Sequence, residues 1–152
     1  MVWTPHVTVA AIIEQDNRFL FVEEQTSNGL AFNQPAGHLE EAENLINAVQ
    51  REVKEETAWS FDPEALISIQ LWRKTAELPT FLRFCFTGKC HSFAPEQALD
   101  EGIIATHWLT REEISRKNRQ LRSPLVIKAV DEYLSGQRYP LQLLESFLDL
   151  SA

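Results

Sequence analysis

Three carboxylates, Glu52, Glu55 and Glu56, crowd into the segment REVKEETAW at residues 51–59. On a helix turning 100° per residue, Glu52 and Glu56 lie roughly 40° apart, and Glu55 lies roughly 60° to the other side. One face about 100° wide therefore carries all three acids. Like charges at these spacings weaken a helix by roughly 0.2–0.5 kcal/mol per pair, so the cluster works against its own element. Hard divalent cations such as Mg²⁺ take carboxylate oxygens and keep waters that a phosphate can replace, and this face can supply two or three such ligands. The competing reading is a solvated acidic face relieved by Arg51 and Lys54.

The element that must present these acids begins at Asn44, a residue type suited to capping a helix. Leu45, Ala48, Val49 and Val53 recur at helical spacing and predict a helix running to about Thr57, with Val49 and Val53 turned to the core. Upstream, Val7–Ile13 and Phe19–Val22 read as buried strands paired across the turn Asp16-Asn17. Pro35 and Gly37 place NQPAGHLEE in a loop, and Pro63 marks the loop after the helix. Strands are predicted over Leu66–Leu71, Thr80–Thr87 and Ile103–Leu109. Thr110 with Glu113 forms a capping-box pattern over a short helix at Arg111–Arg116. A last helix is predicted with Ser123 as cap, Pro124 at its first position and Gly136 past its end. Strands flanking helices and returning as hairpins give an α+β class, with a mixed sheet between helices, in one domain over residues 1–152.

The formal net charge of −8 argues against a surface that binds nucleic-acid polymers as a whole. The charge is uneven: Arg111, Arg116, Lys117, Arg119, Arg122 and Lys128 make six of the 14 basic residues, whereas Glu40, Glu41, Glu43, Glu52, Glu55 and Glu56 make six of the 22 acids. An acidic and a basic segment in one small domain could share a phosphorylated ligand through a metal, or be two solvated helices. Cys85 sits in the apolar run FLRFCF and reads as a buried free thiol, and Cys85 with Cys90 makes neither a disulfide scaffold nor a zinc site. No ligand spacing joins His6, His38, His91 and His107. No apolar run reaches the roughly 20 residues that span a bilayer. MVWTPHVTVAAII has neither a basic start nor a small-residue cleavage site, so the expected compartment is the cytosol.

A longer pattern surrounds the acids. Gly37, five residues, Glu43, seven residues, then Arg51-Glu52-Val53-Lys54-Glu55-Glu56 resembles the box that defines the Nudix family. Ala58 departs from it, standing where the family has glycine, so a slightly different helix exit is expected. The resemblance implies an α/β/α sandwich, with Glu52, Glu55, Glu56 and the Gly37 carbonyl as metal ligands. It also implies a structural ion pair between Glu43 and Arg51. The metal would be Mg²⁺, or Mn²⁺ in its place. A further acid is expected from a loop before a late strand: Glu101 first, with Asp100 and Glu96 behind it, against the alternative of a plain surface acid. PHVTVA, NQPAGHLE, PTFLRF, LRSPLV and SGQRYPL extend the resemblance over nearly the whole chain, toward the NudJ-type phosphatases of that family. The histidine after Gly37 fits the same subgroup. Hydrolysis of nucleoside tri- and diphosphates, and of thiamine-type pyrophosphates such as hydroxymethylpyrimidine pyrophosphate, would follow.

For such chemistry Glu52 or Glu101 is the candidate general base, with Glu55 beside them in the catalytic group. Arg83, Arg119 and Arg122 could offer forked contacts to phosphate oxygens, although each singly also fits a solvated role. Trp72 or Trp3 could stack on a substrate ring or simply pack. The partner is a small phosphorylated molecule, with no membrane; oligomeric state is not legible. The alternatives are a hydrolase of nucleoside diphosphates linked to another group, such as ADP-ribose, and a non-catalytic nucleotide-binding module.

Overall fold

The continuous apolar run near the N-terminus becomes a strand buried on both faces. A computed structural model describes residues 1–148. In it β1 (His6–Ile12) sends Val9 and Ala11 into one hydrophobic cluster, and Ala10 and Ile12 into another. The first cluster is closed by Ala48, Val49 and Val53 of helix α1 (Leu45–Thr57). The second is closed by Val126, Ala129 and Val130 of α3 (Leu125–Leu134), together with Ile114 of α2 (Arg111–Arg116). Helices therefore cover both sides of the strands, which is why β1 needs no polar alternation.

The strands form two four-stranded sheets. The first runs β5 (Ala36–His38), β1, β7 (Phe81–His91), β6 (Ser60–Trp72). It is mixed: β1 and β7 are parallel from His6↔Phe81 to Ile12↔Thr87, while β5 and β6 pair antiparallel. In the second, β3 (Arg18–Thr26) pairs with β2 (Glu14–Gln15) and β4 (Gly29–Asn33), and with β8 (Ile103–Thr110) on its other side. The α+β class with mixed sheets between helices is thus the observed architecture.

Several local expectations hold. Asn44 caps α1, its side chain accepting from Asn47 N at 2.8 Å. Thr110 and Glu113 complete the capping box of α2. Asp16 and Asn17 both take positive φ, 52° and 63°, as a two-residue hairpin turn requires. Cys85 is fully buried.

Others are corrected. The hairpin partner of β3 across that turn is the two-residue β2, and β1 belongs to the other sheet. Pro63 is not in a loop but inside β6, at a register shift; β6 is an outer strand, where a missing N–H breaks no ladder. Part of the NQPAGHLEE loop is the short strand β5, because Ala36–His38 add to the free edge of β1. Helix α3 starts at Leu125, with Ser123 Oγ accepting from Leu125 N at 3.2 Å. Finally, Ala58 does not alter the helix exit: it adopts the left-handed cap itself, at φ 65° and ψ 10°, and its N–H donates to Lys54 O. An L-residue takes that conformation at a cost of roughly 1 kcal/mol, met here by burying its methyl group.

Candidate active site

Packing fixes the roll of α1. With Ala48, Val49 and Val53 in the core, Glu52 and Glu56 are carried to the helix side that faces edge strand β5. There Glu56 Oε1 accepts from Ala36 N at 2.9 Å. Gly37 is glycine for a steric reason: a methyl group built on its Cα would overlap the Glu52 carboxylate. The acidic helix face and the Gly37 backbone are thus pressed together, with only 8 % of Glu52 and 7 % of Glu56 exposed.

Arg51 holds the cluster in place. Its Nε and Nη2 fork onto Glu43 at 2.7 and 3.0 Å, and Nη2 also donates to His38 O at 2.9 Å. Nη1 reaches Glu52 Oε1 at 2.8 Å and Glu55 Oε2 at 3.1 Å. One guanidinium therefore ties the loop before the helix to the helix itself, as a bidentate pair does well. The Arg51 fork holds the Glu43 carboxyl below its usual range, and the same contacts raise Arg51. Deeper acids move the other way. Burial, opposed by Arg51 and reinforced by Glu55 and Asp100, pushes Glu52 up to about 7. Burial, with Glu52, Glu24 and Asp100 nearby, pushes Glu56 up to about 9 against the Ala36 hydrogen bond. Buried carboxylates that repel one another hold protons until an external positive charge replaces them.

Carboxylate oxygens of Glu52, Glu55 and Asp100 all lie within 4.8 Å of one another. The loop acid that reaches the helix is thus Asp100 rather than Glu101. Its backbone N–H donates to Glu55 O at 3.0 Å, and the loop is strapped to the helix end by Gln97 Nε2 to Lys54 O at 2.6 Å. Glu101 and Glu96 are exposed on either side of that anchor. Glu56 stands beside the trio on the cavity side, engaged by Ala36.

A cavity of about 420 Å³ opens from these acids across the α3 face of the first sheet. Glu52, Glu56 and Gly37 line one end; Arg83, Asn33, Trp72 and Phe81 line the other; Arg122 sits on its wall. Arg122 donates to Glu24 Oε1 at 3.1 Å. Arg83 is 6 % exposed and is held by amide oxygens of Gln70, Asn33 and Gln34 at 3.1, 3.2 and 2.7 Å. Arg119 is exposed and outside the cavity, and Trp3 is 64 % exposed. Sequence reasoning missed Glu24, Asn33, Gln34 and Gln70. Asn33 and Gln34 open the NQPAGHLE motif and were within reach; Glu24 and Gln70 sit in ordinary strand alternation and carry no local signal.

Clustered hard oxygen ligands beside a cavity suit a divalent cation and a phosphorylated substrate. Comparison with known proteins agrees. Residues 4–129 match the NUDIX domain. The chain is 42% identical over 143 residues to proteins named Phosphatase NudJ from Escherichia coli (strain K12) and Shigella sonnei (strain Ss046), covering 94% of this chain and 92% of each relative. A solved NUDIX hydrolase from Nitrosomonas europaea superposes with a TM-score of 0.92 at 46% identity, over 95% of this chain and 98% of that one. A chain whose acid-bearing helix is locked to His38 and Glu43 of the preceding loop by one arginine, and which is this similar to those proteins, belongs to the Nudix hydrolase family, whose members cleave phosphoanhydride bonds.

Proposed function

We propose that this chain, acting as one domain, is a Mg²⁺-dependent phosphohydrolase that releases phosphate from nucleoside tri- and diphosphates and from thiamine-type pyrophosphates. The observation that carries the reading is the convergence of Glu52, Glu55 and Asp100 within 4.8 Å, with Glu52 also lining a cavity of about 420 Å³. Similarity to proteins named Phosphatase NudJ supports phosphate release. The donor set fits a hard divalent ion: three carboxylates, Glu52 buried, Glu55 half-buried and Asp100 exposed, against a backbone at Gly37 where no Cβ would fit. Glu52, Glu55, Glu56 and Asp100, with the Gly37 carbonyl, would hold it. Such an ion neutralises phosphate oxygens and makes a neighbouring water more acidic.

The chain's own groups do the rest. Glu52 Oε1 is committed to Arg51, which leaves Oε2 to take the proton of the attacking water. Its raised pKa of about 7 suits that exchange near neutral pH. Glu101 is exposed and belongs neither to the acid trio nor to the cavity lining. Arg51 keeps Glu52 and Glu55 at fixed positions throughout. Arg122, half-exposed on the cavity wall, can leave Glu24 to fork onto phosphate oxygens. We place this activity in the cytosol, on small phosphorylated molecules and not on nucleic-acid polymers or membranes. Among the described residues no helix is long and apolar enough to cross a membrane.

A screen of nucleotides and thiamine-type pyrophosphates with Mg²⁺ tests the reading. Orthophosphate is expected as a product, and two organic monophosphates would instead indicate cleavage of a diphosphate linked to another group. Glu55→Gln and Glu56→Gln should each lower turnover by about 10³-fold, some 4 kcal/mol of barrier, with the fold kept. Near wild-type release by both variants would overturn the proposal.

A further inference from the structure

Spacing along the chain does not join the histidines, but the first sheet brings two of them together. In β1 and β5 the pairs Ala10↔Ala36 and Thr8↔His38 put alternate residues on one face. His6 continues that face by two residues, and its partner on β7 is Phe81. His6 Nδ1 and His38 Nε2 therefore stand 3.3 Å apart, with the two rings edge to face at 5.4 Å between centroids. Phe81 backs both rings, 5.4 Å from His6 and 6.4 Å from His38. The backbones are held as well: His6 N donates to Thr80 O at 2.8 Å, and His38 O accepts from Arg51 Nη2 at 2.9 Å. Both residues are exposed, and His38 reaches the rim of the cavity.

A ring-to-ring hydrogen bond accounts for this contact only at the long end of its range, since such bonds run about 2.7–3.2 Å. The geometry matches a shared ion better. Two imidazole nitrogens on one tetrahedral ion, each about 2.0–2.1 Å from it, lie about 3.3–3.4 Å from each other. Neighbouring octahedral positions at the same bond length lie only about 2.9 Å apart. Neither tautomer is locked, because His6 Nε2 and His38 Nδ1 have no protein partner among the described residues. Each ring can carry its hydrogen on that outer nitrogen and turn a lone pair toward the other ring. Imidazole also selects differently from the acid cluster: nitrogen ligands suit borderline ions such as Zn²⁺, whereas carboxylates suit hard ions such as Mg²⁺.

We infer that His6 and His38 form a second metal site, a two-histidine clasp for one borderline divalent ion of the Zn²⁺ class, whose remaining positions go to water or an anion. It shares no residue with the trio Glu52, Glu55 and Asp100. The inference goes beyond the hydrolase reading and does not rest on it.

Zn²⁺ titrations of the whole chain, with excess Mg²⁺ present to fill the carboxylate cluster, test the site. In NMR spectra the ring-proton signals of His6 and His38 should shift together, and those of His91 and His107 should stay in place. By calorimetry the wild type should bind this ion about tenfold or more tighter than His6→Phe or His38→Gln, because each variant leaves a single imidazole. Both changes fall on exposed side chains, and both variants should melt as the wild type does. Signals of His6 and His38 that do not move, or variants that bind Zn²⁺ as tightly as the wild type, would overturn the inference. Neither readout depends on turnover, so the phosphohydrolase reading stands or falls separately.

Discussion

The two ends of the cavity are held together by opposite means. At one end Arg51 faces Glu43, Glu52 and Glu55, so charge answers charge, and all four residues lie within one short stretch of chain. At the other end Arg83 faces amide oxygens contributed by β4, β6 and the residue before Pro35, with no carboxylate in direct contact. The acid end carries surplus negative charge, which suits an ion. The amide end answers one guanidinium with neutral oxygens and carries no carboxylate against it. A site that must hold a polyanion and also choose its organic group gains from keeping these tasks apart.

The comparison can be broken or sharpened by experiment. Arg51→Met should have the largest effect on stability, about 2–4 kcal/mol by urea unfolding, because it leaves half-buried Glu43 and buried Glu52 without a cation. Arg83→Met should cost less, about 1–3 kcal/mol, since it orphans neutral oxygens rather than charges. A larger loss for Arg83 than for Arg51 would remove the distinction.

The acid end should also respond to pH. Glu52 and Glu56 hold protons in the folded chain up to about 7 and about 9, whereas the unfolded chain releases them near 4.5. Their contribution is therefore fully present below about pH 4.5 and is lost as pH rises to about 9, by roughly 1.4 kcal/mol per pH unit for each carboxylate in that state. Glu43, lowered by Arg51, acts in the opposite sense, losing its contribution as pH falls. Melting followed across pH 5–9 should fall without divalent ion and flatten when Mg²⁺ is added. No flattening would mean that the acids do not meet the ion. The smallest expected effect is Ala58→Gly, a gain of about 0.5 kcal/mol in unfolding free energy, as relief of the left-handed alanine outweighs the lost methyl. Destabilisation would show that packing of the methyl group matters more.

What the chain determined by itself was local. Helix α1, its Asn44 cap and the acid face follow from spacing along one stretch, because a helix converts sequence separation directly into angle, whereas the Glu43–Arg51 pair was implied by the family resemblance. The capping box of α2 was legible for the same reason. Tertiary structure decided what strands and loops bring together. Asp100 took the place expected of Glu101 because a backbone hydrogen bond to Glu55 sets the loop's register, and adjacent loop acids do not differ in sequence signal. Pro63 entered a strand because β6 lies at an edge, and β3 left β1 for another sheet; neither fact is local. The orientation of Asn33 needed Arg83 from 50 residues away. Only a folded sheet can aim one amide by confronting its neighbour with a group that never accepts a hydrogen bond.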